Sequence, residues 1–175
     1  MANTYELIAS STVGSGGTSS INFTSIPSTY TDLIVSVSIR TTRPSIIDYG
    51  AIRFNSDSGS NYSALYVYGF GTGGLTSGTN GNPTSLEIPN VLDGNSATAN
   101  TFCNLEIYIP NYAGSNQKVV GFEGVSENYD TNAITLIQAG KWSGTSAITS
   151  MSIYSANGFD LMQYSTAYLY GVKNA

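Results

Sequence analysis

The chain of 175 residues contains no histidine. That excludes Ser-His-Asp and Cys-His nucleophile systems, and it excludes histidine-ligated zinc. There is one cysteine, Cys103, so no disulfide can form within the chain. Charge is also scarce. Asp, Glu, Lys and Arg make up 10% of residues, against roughly a quarter in ordinary soluble domains. The six cations, Arg40, Arg43, Arg53, Lys118, Lys141 and Lys173, are scattered through a chain of net charge −5. No basic patch can neutralise many phosphates, so neither direct nucleic-acid binding nor attachment to an anionic membrane is expected. No apolar run approaches the roughly 18 residues of a membrane-spanning helix. The opening "MANTYELIAS" has no basic start followed by an apolar run, and no signal peptide is expected.

Helical periodicity is missing too. No stretch places apolar residues at the one-face spacing of a helix over three turns. Helix is expected to be minor, confined to a turn near "SIPSTYTD" or "NVLDGNSAT". Neither a phosphate-binding GxxxxGK[ST] loop nor a strand–GxGxxG–helix unit is present, so nucleotide binding has no support.

What is present is hydroxyl, amide and aromatic. The chain has 25 Ser, 19 Thr, 16 Asn, 19 Gly and 13 Tyr. This is the composition of half-buried strands and tight turns. Alternation with a period of two dominates. In "DLIVSVSIR", Leu33, Val35, Val37 and Ile39 share one face, and in "TFCNLEIYIP" Cys103, Leu105, Ile107 and Ile109 do. "TSMSIYS" and "TAYLYGV" repeat the pattern, and weaker candidates include "SINF", "YGAIRF", "SLEIP", "KVVGFEGVSE" and "ITLIQAGKW". Turn clusters such as "GSGG", "SDSGSN" and "SANG" separate them. The expected fold is all-β: one domain over 1–175, an antiparallel jelly-roll-like β-sandwich of about eight to eleven strands. "LIVSVSI" is uncharged and β-prone, and belongs in a central strand. "STAYLYGVKNA" is expected to pair with "TYELIAS", and Gly69 to Pro83 reads as an excursion loop.

The candidate sites are few. In "RFNSDSGSNYSALYVYG", Asn55, Asp57 and Asn61 could give oxygens to a calcium ion. Counted as an EF-hand loop from Asn55, however, the fifth position is Gly59 and the twelfth is Tyr66, where ligands are required. The plainer reading is a loop between strands, and no metal or other cofactor is expected. Cys103 lies on an apolar strand face, where a free thiol packs as a small hydrophobe. Glycosidase chemistry needs two carboxyl groups. Glu106, Glu123, Glu127, Asp130 and Asp160 are available, but none sits in a motif. No enzymatic activity is expected. Asn22-Phe-Thr and Asn61-Tyr-Ser match the glycosylation pattern, as chance allows in a chain this rich in Asn, Ser and Thr. The tyrosines are more informative. Tyr62, Tyr66 and Tyr68 share one strand face, with Leu65 and Val67 on the other, and Tyr168 and Tyr170 flank Leu169. Such ladders either form an interface or only stabilise the sheet across strands, with sugar binding a third use.

Four stretches carry a resemblance. They are "YELIASSTVGSGGTSSINFTSIPSTYTDLIVSVSIR", "RFNSDSGSNYSALYVYG", "IYIPNYAGSNQK" and the closing "STAYLYGVKN". In content and order they resemble structural proteins of tailed bacteriophages, those of cyanophages and other aquatic phages especially. The resemblance spans nearly the whole chain and brings no catalytic motif. It implies a capsid decoration (cement) protein on the virion surface, bound to the major capsid protein and assembled as a homo-oligomer, with a trimer favoured. The contact residues would lie in the first ten residues, at Tyr5 and Leu7, and on the tyrosine faces of Tyr62, Tyr66, Tyr68, Tyr168 and Tyr170. The alternative is a tail-fibre or receptor-binding module that recognises host-surface glycans, with "GFGTGGLTSGTNGNP" as its recognition loop.

Overall fold

A computed structural model describes residues 4–71, 73–81, 83–127 and 133–173. Among these residues there is no helix, and twelve strands form two antiparallel sheets stacked as a sandwich. The strands are β1 (Tyr5–Thr12), β2 (Ser20–Phe23), β3 (Asp32–Ser38), β4 (Ile47–Phe54), β5 (Tyr62–Phe70), β6 (Leu75–Gly81), β7 (Leu86–Asp93), β8 (Asn104–Ile109), β9 (Lys118–Glu127), β10 (Ala133–Trp142), β11 (Met151–Ser155) and β12 (Thr166–Val172). The large sheet runs β1-β12-β3-β8-β9-β10-β5-β6, and the small one runs β2-β11-β4-β7. Every small-sheet strand is flanked in sequence by large-sheet strands. The chain therefore crosses repeatedly between the layers and ties them together.

Period-two alternation builds the core. Leu33, Val35 and Val37 of β3 point inward beside Leu105, Ile107 and Ile109 of β8, and Val120 and Phe122 of β9 continue the layer. Ile52, Phe54, Leu86, Ile88 and Ile153 of the small sheet close it from the other side. β7 of the small sheet packs over β9, β10 and β5. Each fully buried Leu, Ile or Phe contributes about 1.5–3 kcal/mol of transfer free energy, so these layers hold the sandwich without a disulfide.

The uncharged run from Leu33 to Ser38 lies in β3, an interior strand between β12 and β8, as its pattern required. β12 pairs with β1 from Thr166–Thr12 to Val172–Tyr5, so the first and last strands lie side by side. β1 is an edge strand. It carries a bulge between Leu7 and Ala9 and a Glu6–Lys173 ion pair, two devices that discourage edge-to-edge pairing.

Two expectations fail. The excursion loop from Gly69 to Pro83 contains β6, which extends the large sheet beyond β5. Its sequence, "LTSGTNG", shows no apolar alternation, because an edge strand held by backbone pairing needs none. Gly78 leaves room for the Tyr66 ring opposite; a Cβ there would collide with it. The second failure is "NVLDGNSAT". Its first four residues are strand, not helix, because β7 continues past Pro89. Asn90 adopts φ 55°, and the pairing shifts between Asp48 and Gly50, so a bulge absorbs the proline on this sheet edge. "SIPSTYTD" is not helical either; only its last residue, Asp32, enters a strand.

Candidate functional site

The loop from Asn55 to Asn61 is closed by its own side chains. Asn55 and Ser56 take left-handed backbone, with φ 50° and 56°. The Asn55 amide oxygen accepts from the Thr149 and Ser150 backbone N–H at 2.9 and 3.1 Å, and its amide nitrogen donates to the Ala147 carbonyl at 2.8 Å. The Asp57 carboxylate accepts from Trp142 Nε1 at 2.7 Å, from the Gly59 N–H at 2.9 Å and from Asn61 Nδ2 at 2.9 and 3.1 Å. The Trp142 bond, then the Gly59 and Asn61 bonds, hold its carboxyl below the usual range. All three candidate calcium ligands are thus engaged with the chain. Tyr62 completes the unit. Its hydroxyl donates to the Asp57 carbonyl at 3.0 Å and accepts from the Phe54 N–H at 3.1 Å, while its ring stacks 6.5 Å from Trp142. The loop staples β4, β5 and β10.

Tyr62 is therefore buried and cannot contact a partner, which corrects the expected tyrosine face of β5. Tyr66 and Tyr68 are half-buried and pack against the core, stacked on each other at 5.9 Å. The exposed side of β5 is the opposite one: Leu65 is 56% exposed and Val67 is 40%. Alternation placed the three tyrosines on one face, but the small sheet decided that this face points inward. The other candidates lie outward. Tyr168 is exposed, Tyr170 is half-buried, and Tyr5 and Leu7 are exposed on β1. Ala2 and Asn3 of the proposed N-terminal contact segment lie outside the described residues.

The strand registers join these outward positions into one surface. Leu7 pairs with Tyr170, Tyr170 with Ile34, Ile34 with Tyr108, Tyr108 with Gly121, Gly121 with Ala139, and Ala139 with Leu65. This row crosses the large sheet on its outer face. The parallel row beside it carries Glu106, Glu123, Ile137 and Val67. Val119, Val125, Ile137 and Leu75 are exposed on the same face, Ile137 at 66% and Leu75 at 79%. The sequence pattern missed Val119, Val125 and Ile137 because β9 and β10 carry apolar side chains on both faces, with Val120, Phe122, Ile134 and Leu136 inside, and it missed Leu75 because β6 reads as loop.

Of the five candidate carboxylates, the structure brings two together. Glu106 and Glu123 are direct cross-strand partners at the centre of the outer face. Acid–base catalysis by a carboxyl pair relies on two different environments; here both side chains share one open, exposed surface. Glu127 instead accepts from the Thr98 N–H at 2.8 Å, and Asp160 lies exposed just before β12. Asp130 lies outside the described residues.

The buried polar groups are structural staples. The Arg40 guanidinium, 5% exposed, donates to the carbonyls of Thr98, Thr101, Asn95 and Ala97 at 2.6, 3.1, 3.1 and 2.9 Å. Lys118 is buried and caps the carbonyls of Gly114, Asn116 and Thr145; desolvation lowers its pKa. Asp48 binds Ser155 Oγ, Asn157 Nδ2 and the Tyr49 N–H. Burial pushes the Cys103 thiol up to about 12, so it stays protonated and unreactive at neutral pH.

Comparison with protein-family models, with curated proteins and with solved structures found no match.

Proposed function

We propose that this jelly-roll-like sandwich is a virion structural protein of a tailed bacteriophage, a capsid decoration (cement) protein that binds the assembled shell of the major capsid protein without catalysing a reaction. The resemblance of the four sequence stretches supports the reading. The observation that carries it is the outer face of the large sheet, where apolar side chains from Leu7 on β1 to Leu75 on β6 are uncovered. Contiguous apolar surface on that scale marks association rather than solubility. Tyr5 and Leu7, at the β1 end, are the residues assigned to the shell.

The mechanism is linkage. A protein that binds only the assembled shell shifts the assembly equilibrium by RT ln(1 + [L]/Kd), about 2.7 kcal/mol per site at a hundredfold excess over Kd. Repeated over many sites, this resists the pressure of packaged DNA.

The test is the copy number of the chain in purified virions, by quantitative mass spectrometry against the major capsid protein. Hundreds of copies in simple ratio to the capsid subunit are expected. A few copies per particle would place the chain in the tail. That would favour the glycan-recognition reading, for which the small sheet offers Tyr154 beneath Arg53, 5.4 Å from ring to guanidinium, next to Ser20, Ser152 and Phe159. Absence from the particle would refute both.

A further inference from the structure

The outer face of the large sheet is charge-poor but not neutral, and its charges are left without partners. Glu106 and Glu123 sit directly opposite each other. Neither forms an ion pair among the described residues, where the salt bridges are Arg43–Asp48 and Lys173–Glu6. Like charges in direct cross-strand register destabilise a sheet. Lys141 is exposed on the same face and is likewise unpaired among the described residues. A lone cation and an unbalanced pair of anions on one apolar surface are complementary to each other, but Lys141 sits four residues along β10 from Ile137, the cross-strand partner of Glu123.

We propose that this face pairs with the same face of a second copy of the chain, across a two-fold axis that sets Lys141 of each copy against the Glu106–Glu123 pair of the other. The register supplies the geometry. On β9, Glu123 and Val119 lie symmetrically on either side of Gly121, and Lys141 is the cross-strand partner of Val119. An axis running across the strands through Gly121 and Ala139 exchanges the Glu123 level with the Val119–Lys141 level. Lys141 of one copy then falls one strand, about 4.8 Å, to the side of the facing Glu123. Its four-carbon stem spans that offset across sheets packed about 10 Å apart. Gly121 and Ala139 have little or no side chain where the two sheets come closest, and a Cβ added at Gly121 meets nothing within 4 Å in the isolated chain. Ile137 and Val119 supply the apolar contact beside the charges.

The area suffices. The six strands β3-β8-β9-β10-β5-β6, about 4.8 Å apart and each presenting about seven residues at 3.3 Å, offer roughly 650 Å² per copy and leave Tyr5 and Leu7 on β1 for the shell. A stable interface at the lower end of the standard size buries about that much on each partner. The resemblance favoured a three-fold assembly; the charges on this face fit an isologous two-fold one, in which each contact occurs twice. The inference does not rest on the capsid reading, because pairing is read on the isolated chain and copy number on the particle.

The experiment is sedimentation velocity of the full chain from low to high micromolar concentration, with near-UV circular dichroism to confirm that each variant is folded. Wild type is expected to reach twice the monomer mass. Gly121→Arg, which projects into open space in the isolated chain, is expected to stay monomeric with native dichroism. Lys141→Glu is expected to weaken pairing at least about tenfold, and the swap of Lys141→Glu with Glu123→Lys to restore most of it. A monomer at every concentration, a trimer, or a dimer indifferent to Gly121→Arg overturns the proposal. A dimer lost in Gly121→Arg but unchanged in Lys141→Glu overturns the two-fold register.

Discussion

Arg40 is the position where substitution tests the physical argument most directly. Its side chain ends in a cage of four backbone carbonyls, all from the segment between β7 and β8. In Arg40→Met the stem still packs, but the four carbonyls lose their donor. Hydrogen bonds from a charged group contribute about 1.5–3 kcal/mol each, so the gross loss is about 6–12 kcal/mol. Two terms offset it. Asn95 and Thr98 are exposed, so their carbonyls rehydrate, and the cost of burying a cation disappears. A net destabilisation of about 3–4 kcal/mol remains, within the range for breaking a buried charged network. At this chain length that lowers Tm by about 6–16 °C. Guanidinium unfolding followed by Trp142 fluorescence should show a lower midpoint at unchanged slope. Arg40→Lys should fall in between, at about 2 kcal/mol, because one ammonium with three donors cannot span carbonyls arranged for a planar fork. If Arg40→Met unfolds within about 1 kcal/mol of wild type, the carbonyl cage is not what holds this segment, and the reasoning fails.

Other substitutions separate structural from permissive positions. Asp57→Ala removes the acceptor for Trp142 Nε1 and should cost about 2 kcal/mol, discounted for the half-exposed site, with a shifted Trp142 emission as the local readout. The Asp57 pKa is lowered on folding. Its contribution is therefore complete above the unfolded value of about 3.9 and lost as pH falls through the folded one. The stability gap between wild type and Asp57→Asn should accordingly narrow on acidification from about pH 4, and a gap that stays constant down to pH 2 contradicts the assignment. Cys103, fully buried, should react with a maleimide only at the rate of global unfolding; fast labelling of the native protein would place it elsewhere. Gly94→Ala pushes a Cβ into the Ser45 carbonyl and should cost ~3 kcal/mol, whereas Gly121→Ala should change the stability of the monomer by no more than about 0.5 kcal/mol.

Much of the architecture could be read before any coordinates. The alternation in "DLIVSVSIR" gave β3, its inward residues and its interior position. The lack of helical spacing gave an all-β chain, and the β12–β1 pairing followed from two matching terminal strands. β6 and the second half of β7 escaped. β6 has no side-chain pattern because backbone hydrogen bonds to β5 suffice for an edge. β7 survives Pro89 only through a bulge that depends on its partner β4. The candidate site was legible in part. Tyr5, Leu7, Tyr168 and Tyr170 lie outward as expected, Tyr62 does not, and the Glu106–Glu123 juxtaposition belongs to a register no single strand contains.

By itself, then, the sequence determined periodicity and chemistry: strands instead of helices, a thiol without a partner, no histidine, and six cations too dispersed to form a patch. It also determined which side chains share a face, because a strand alternates with a period of two whatever surrounds it. It could not determine which of two faces is inside. On β5, with tyrosines on one side and Leu65 and Val67 on the other, both faces are apolar enough to be buried. The stacking of the small sheet on β9, β10 and β5 settled the matter. The tertiary structure alone decided that the loop of Asp57 closes on Trp142, a residue 85 positions further along the chain. It also gathered Glu106, Glu123 and Lys141, residues of three different strands, onto one open surface.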